Sequence, residues 1–176
     1  MNWTDLLKSE MDAAYRAAEG LIDLVDDLDW KPATGDNWMT TGQLLEHITS
    51  SCGYVFRGFV SGEWKMPDGT DMADAPPDEM MTAEAMPSAE SAEAAAAALR
   101  ADKEMSLGLL EQADGRFDEP TPAPWNPQPA PLGQQMLMGV NHLNQHKGQL
   151  FYYLKLQGKP VNTMHYYGMG EEAAAT

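Results

Sequence analysis

The stretch LGQQMLMGVNHLNQHKGQLFYYLKL, residues 132–156, carries a helical pattern and two of the chain's four histidines. Its apolar residues recur every three or four positions, as they do on one face of an α-helix. The residues predicted to face inward are Met136, Val140, Leu143, Leu150 and either Tyr153 or Leu154. Gly158 and Pro160 follow the stretch and are typical of a helix end. The pattern therefore predicts a long amphipathic helix.

Two further helices are predicted in the first third of the chain. An apolar stripe runs over residues 3–28, and the helix that carries it should end near Trp30 and Pro32. The second helix should begin at Thr40, because Gln43 stands three residues later and completes a capping box. Its predicted inner face consists of Leu44, Ile48, Ser51, Val55 and Phe59.

A third helix is predicted from about Ser88 to just before Gly115, with Leu99, Leu109 and Leu110 as its apolar anchors. Residues 61–87 lack any period and indicate a long crossing connection, whereas the six prolines of residues 120–131 favour an extended, polyproline-like linker. No alternating apolar run resembles a strand. We therefore expect an all-α protein, a four-helix bundle with a long crossover between helices 2 and 3.

Length and charge narrow the class of protein. The 176 residues suit one domain, predicted over residues 1–170, and residues 171–176 are expected to form a disordered tail. A formal net charge of -16 argues against nucleic acid and anionic membranes as partners. The single cysteine, Cys52, the absence of a signal-peptide pattern and the lack of an apolar stretch that could span a bilayer predict a cytoplasmic protein.

Three of the four histidines are predicted to face the interior. His142 and His146 stand four residues apart, which on a helix means about 40° in direction and about 6 Å along the axis. His47 lies on the apolar face of the second helix. Unpaired imidazoles in an apolar interior each cost about 1–3 kcal/mol, and a divalent metal would accept a lone pair from each of them. The alternative is that each is a core or rim histidine with an ordinary hydrogen-bond partner.

The motifs GDNWMTTGQLLEHITSS and NHLNQHKGQLFYYLKLQGKPV together resemble the DinB/YfiT-like family of metal-binding four-helix bundles. That family has one histidine ligand on its second helix and an H-x-x-x-H pair followed by Gly-Gln on its last. His47, His142, His146, Gly148 and Gln149 match this arrangement. The resemblance implies a divalent metal, zinc or nickel, held by the three histidines with open coordination positions. It also implies frequent homodimers and parallel middle helices.

Two reactions suit an open three-histidine site: attack by metal-bound hydroxide, or attack by the metal-bound thiolate of a low-molecular-weight thiol. Since thiol-dependent transferases and a thiol-dependent isomerase occur in the family resembled, we expect a metal-dependent thiol transferase acting on a small-molecule substrate. The alternatives are a non-catalytic, metal-stabilised stress-response bundle and a dimeric interaction module without metal.

The remaining candidates have smaller expected roles, and no catalytic residue is identified. Glu46 should point about 100° away from its neighbour His47 and is not assigned as a general base. Gln149 could orient an imidazole or serve in packing. Cys52 is expected to be a small buried hydrophobe, and His165 is expected to help dock the tail.

Overall fold

The structure, a computed structural model, describes residues 2–65, 69, 71 and 82–169. The described part is mostly helical, as predicted, with one small two-stranded sheet. None of its helices is both long enough and apolar enough to cross a membrane. The predicted tail, residues 171–176, lies outside the described residues. The helices are α1 (Trp3–Ile22), α2 (Thr41–Ile48), α3 (Ser51–Ser61), α4 (Ala92–Gln112), α5 (Leu132–Leu156) and α6 (Thr163–Tyr166).

Helix α1 ends earlier than predicted, at Ile22 rather than near Trp30 and Pro32. Past Ile22 the backbone tightens into a turn in which Val25 N–H donates to Ile22 O at 3.0 Å. Further along, Asp27 Oδ1 accepts the backbone N–H groups of Asp29 (3.0 Å) and Trp30 (3.2 Å) and holds a second turn. Such a local turn competes with helical hydrogen bonding. Leu28 nevertheless packs against the core, so the stripe identified the buried face correctly but not the end of the helix.

The predicted second helix is divided in two at Thr49 and Ser50. Three consecutive hydroxyl side chains donate to backbone carbonyls here: Thr49 to Glu46 (2.9 Å), Ser50 to Glu46 (3.5 Å) and Ser51 to Ile48 (3.2 Å). Hydroxyl groups that bond back to the chain in this way weaken and bend helices. The predicted inner face is buried on both sides of the break.

The predicted start of α2 is confirmed, whereas that of α4 is displaced. Thr40 Oγ1 accepts from Gln43 N (3.2 Å) and Gln43 Oε1 accepts from Thr40 N (2.8 Å), which is the capping box. Helix α4 begins after Ser91 rather than near Ser88, because the Ser91 side chain accepts from Ala94 N at 3.0 Å. Each side-chain cap therefore marks where its helix begins.

The glycines predicted to end α4 and α5 occupy different positions relative to their helices. Gly158 has a φ of 81° and directly follows the capping residue of α5, so both predicted ends of this helix are confirmed. Gly115 also adopts a left-handed φ, of 77°, but α4 has already ended at Gln112, and the glycine belongs to the turn that follows.

The proline-rich segment is extended, as predicted, but it forms an antiparallel hairpin of β1 (Pro120–Ala123) and β2 (Asn126–Pro131) and not a polyproline-like linker. Its prolines are confined to every second position in each strand. Successive backbone nitrogens of a strand point to opposite edges, so the prolines can share the outer edge while residues such as Thr121 and Ala130 pair.

Helices α1 and α3 each pack against both α4 and α5, so the four surround a common core. Helix α4 runs antiparallel to α1, since Arg100 pairs with Glu19 and Thr4 approaches Asp114. The unit of α2 and α3 runs parallel to α4. Ala89 N donates to Gly42 O (3.0 Å) at one end, and Gly53 N donates to Asp102 Oδ2 (3.2 Å) at the other. Helix α4 therefore begins at the same end as α2, and the two middle helical units run parallel, as the resemblance implies.

Candidate metal centre

The structure brings the three interior histidines to one point between α2 and α5. His47 stands in the last turn of α2, and His142 and His146 lie on successive turns of α5. The Nε2 atom of His47 lies 3.4 Å from Nε2 of His142 and 3.1 Å from Nε2 of His146. The ligand atoms of all three residues lie within 4.8 Å of one another, and each residue is only half-buried.

Antiparallel packing of α2 against α5 accounts for this convergence. Gln157 approaches Thr41 at one end of the pair, so His47, near the other end of α2, meets the middle of α5. Helix α5 also packs closely against α3, where a Cβ on Gly139 would lie 3.0 Å from a methyl carbon of Val55. The position needs a small residue for α5 to sit this near.

Each ring carries a depressed pKa and is therefore neutral at neutral pH. Burial, reinforced by the neighbouring His146 and His142, lowers the pKa of His47 to about 4. Burial and His146 likewise lower the pKa of His142 to about 4, against an opposing hydrogen bond to the Ser51 backbone. The pKa of His146 is lowered by burial, although its bond to Gln149 acts the other way. Neutral imidazoles retain the lone pair that a metal ion requires.

The geometry of the nitrogens fits a single divalent ion. Zinc–nitrogen bonds of about 2.0–2.1 Å at tetrahedral angles place two ligand nitrogens about 3.3–3.4 Å apart, close to the two separations from His47 Nε2. A shared proton could bridge only one of these contacts at a time, whereas a cation among the nitrogens accepts from all three. Three protein ligands also leave a coordination position for an exogenous group.

A second layer of polar groups contacts the histidines. His146 Nδ1 lies 3.2 Å from Gln149 Oε1, so of its two predicted roles Gln149 takes the one of contacting an imidazole. The hydrogen bond from His142 reaches the backbone at Ser51, the first residue of α3. Each ring nitrogen engaged in this way fixes the orientation of its imidazole.

The other sequence candidates lie outside the cluster. Cys52 is fully buried, as expected, and burial raises the pKa of its thiol to about 12. His165 forms a capping box with Asn162 at the start of α6, a short helix that packs against α1 and α5. The described cluster includes no carboxylate, so Glu46 is not part of it.

Sequence reasoning missed a buried polar cluster between α1, α3 and α4. Asp102 accepts the hydroxyl of Tyr15 at 2.6 Å, and Ser106 lies 3.0 Å from the same hydroxyl. A signal was present, because Asp102 and Ser106 stand three and seven residues after Leu99 and so share its apolar stripe.

Comparison with known proteins supports a single family. Residues 10–150, most of the chain and all three histidines, match the profile described as the DinB superfamily. No curated protein and no solved structure gives a significant match.

Proposed function

Because the chain belongs to the DinB superfamily, we propose that it is a divalent-metal protein, built as the four-helix bundle of that family, with His47, His142 and His146 as the metal ligands. The observation that carries this proposal is the convergence of three neutral imidazole nitrogens, with His47 Nε2 3.1 and 3.4 Å from the other two. Zinc and nickel both suit such a ligand set.

The chain's own groups would determine how the site is used. Each histidine is only partly buried, so a small molecule could reach an ion held by the three rings. When bound, a divalent ion would act as a Lewis acid that lowers the pKa of a coordinated thiol or water. Imidazoles add no negative charge to the site, so the ion's full charge would act on that group.

The reaction we propose is transfer of a low-molecular-weight thiol to an electrophilic small molecule. Support comes from the open three-histidine site and from the thiol-dependent reactions implied by the family resemblance. Catalysis would then depend on the ligand histidines and not on the protein's own thiol, because Cys52 is fully buried and burial raises its pKa to about 12.

The experiment incubates zinc-loaded protein with a panel of cellular thiols and a chromogenic electrophile, and follows the thiol-dependent rate. His142→Ala should abolish that rate. His165→Ala is the matched control, since His165 lies outside the cluster and bonds to Asn162. A rate unaffected by His142→Ala would contradict the proposed reaction.

A non-catalytic, metal-stabilised bundle is the second candidate, favoured by the absence of a carboxylate from the described cluster that could serve as a general base. In that case removal of the metal would lower the melting temperature, because a ligand that binds only the folded state stabilises it. No thiol would compete for the ion. Melting curves of metal-loaded and chelator-treated protein, each with and without thiol, separate the two candidates.

We also propose the homodimer that the family resemblance implies. A candidate surface is given by exposed apolar side chains near the end of α5, in α6 and directly after α6: Tyr152, Leu156, Met164 and Tyr167. Sedimentation of the wild-type chain and of a Leu156→Glu variant measures this directly, with dissociation expected only in the variant.

A further inference from the structure

A chain of hydrogen bonds leads from one of the histidines to the segment that precedes α2. His146 Nδ1 lies 3.2 Å from Gln149 Oε1, and Gln149 Nε2 lies 3.3 Å from the Tyr153 hydroxyl. The Tyr153 hydroxyl in turn lies 3.0 Å from the carbonyl oxygen of Met39. Three bonds thus link an imidazole to a backbone group.

The Met39 carbonyl, at which this series of hydrogen bonds ends, fixes the direction of every bond in the series. A carbonyl can only accept, so Tyr153 must donate its single proton to Met39 O. The Tyr153 oxygen is then left to accept, which turns the amide nitrogen of Gln149 toward it. Gln149 therefore presents its oxygen to His146, and Nδ1 of that ring must carry the proton. The lone pair is left on Nε2, the atom that faces His47.

The carbonyl group at which this series of hydrogen bonds ends adjoins α2, the helix that carries His47. Met39 immediately precedes Thr40, the capping residue of α2. The Tyr153 ring is 2% exposed and makes edge contacts with Trp30 (5.1 Å) and Trp38 (6.3 Å). The hydroxyl is therefore held in place by aromatic packing.

We propose that Tyr153 is a positioning residue: acting through Gln149, it holds the neutral His146 ring in the tautomer whose Nε2 faces the other two histidines. This proposal rests on the metal-binding function proposed above. A ring with its proton on Nε2 could not offer that atom to an ion, so the tautomer decides whether His146 is ready to bind.

The test removes the hydroxyl and keeps the ring, with Tyr153→Phe. Zinc affinity is measured by competition with a chromogenic chelator and should fall about 10- to 100-fold, the usual effect of losing a partner of a metal-bound histidine. Tyr152→Phe is the matched control, because Tyr152 is the adjacent residue and its side chain is 64% exposed. That variant should bind zinc as the wild type does. An unchanged affinity in Tyr153→Phe would overturn the proposal.

A second readout needs no metal. The ring ¹⁵N shifts of His146 in chelator-treated protein at about pH 8, where the ring is neutral, report which nitrogen carries the proton. The wild type should show the proton on Nδ1, and Tyr153→Phe should shift population to Nε2. Unchanged ring shifts would refute the proposal even if affinity fell. If wild-type protein does not bind zinc, the proposed function fails, while this measurement still decides the role of Tyr153.

A double-mutant cycle separates the tautomer effect from packing. In Gln149→Glu a carboxylate replaces the amide; it can only accept, so it holds the His146 Nδ1 proton whether or not the Tyr153 hydroxyl is present. Tyr153→Phe should therefore cost less than about threefold in zinc affinity in that background. An equal loss in both backgrounds would assign Tyr153 a packing role instead.

Discussion

Burial of Asp102 should make the free energy of unfolding depend on pH in the direction opposite to that of an ordinary surface carboxylate. The side chain is only 4% exposed. It accepts the Tyr15 hydroxyl at 2.6 Å and the Gly53 N–H at 3.2 Å through Oδ2, while its buried Oδ1 has no hydrogen-bond partner among the described residues. Burial outweighs these bonds and the nearby Arg57, and raises the pKa of Asp102 to about 6.

The sign follows from comparing folded and unfolded chains. Between its ordinary pKa of 3.8 and the folded value of about 6, the folded chain retains a proton that the unfolded chain has lost. The contribution of Asp102 to stability is therefore present below about pH 4 and is lost as the pH rises toward 6. A difference of about two pKa units corresponds to about 3 kcal/mol, which is the upper end of the expected effect.

Asp102→Asn isolates this contribution, because the amide has nearly the same shape and cannot ionise. Both proteins are unfolded in urea, after metal removal, at several values from about pH 4 to about pH 7. His47 and His142, whose depressed pKa values act in the opposite direction over this range, are common to both and cancel in the difference. Relative to the wild type, the variant should gain about 2–3 kcal/mol across the range, or about 1 M in urea midpoint.

Two results would contradict a raised pKa of Asp102 in the folded protein. Parallel stability curves would mean that the pKa of Asp102 is ordinary despite its burial. A variant whose stability falls relative to the wild type as the pH rises would mean that the start of α3 stabilises the Asp102 carboxylate more than burial destabilises it, since the Gly53 N–H bonds to that carboxylate. In either case the unpartnered Oδ1 would need another explanation.

Three further predictions concern helix packing, helix capping and the buried cysteine. Gly53→Ala should lower the free energy of unfolding in urea by about 1–3 kcal/mol, because the new Cβ would lie 2.2 Å from Asp102 Oδ1. Gly108→Ala is the control: its Cβ would have no neighbour within 4 Å, so the substitution should stabilise α4 by about 0.5–1 kcal/mol. Equal effects of the two substitutions would contradict the packing described. Thr40→Ala should lose about 1 kcal/mol with the capping box, and no loss would show that Gln43 suffices alone. Cys52 should react with a chromogenic thiol reagent only as fast as the protein unfolds, since it is fully buried and its pKa is raised to about 12; rapid labelling of native protein would refute this.

Hydrophobic periodicity predicted the bounds of a helix best where the apolar stripe and the residues at the helix ends indicate the same bounds. Helix α5 begins and ends at the predicted residues because its apolar stripe, its preceding proline and Gly158 all indicate the same bounds. The stripe of α1 continues past Ile22, but the backbone forms a tighter turn there, and Asp27 then accepts the Asp29 N–H in a second turn. A stripe reports which face is buried and does not report where the helix stops.

The break between α2 and α3 illustrates a different limit. Residues 49–51 carry hydroxyl side chains, which are compatible with a continuous helix but can also bond to backbone carbonyls and interrupt it. Tertiary packing selects the interruption. The start of α3 has no side-chain cap of its own, and Asp102 of α4 supplies the bond instead. A partner that is 49 residues away in sequence leaves no local pattern to read.

The candidate site was predictable to the level of its histidines and not beyond. Spacing placed His142 and His146 on one helix face, the apolar pattern of the second helix placed His47 inward, and the resemblance then grouped these three with Gln149; the structure brings all four side chains together. The hydroxyl of Tyr153 was not foreseen, because its partners, Gln149 and Met39, lie on different elements. That these histidines bind a metal remains a prediction.

The metal content of the purified protein decides whether His47, His142 and His146 hold an ion. Protein produced without an affinity tag is analysed by inductively coupled plasma mass spectrometry for the wild type, His47→Ala and the control His165→Ala. We expect about one divalent ion per chain in the wild type and the control, and loss of the ion in His47→Ala, because α2 supplies one of the three ligands proposed among the described residues. No stoichiometric metal in the wild type, or full retention in His47→Ala, would contradict this expectation.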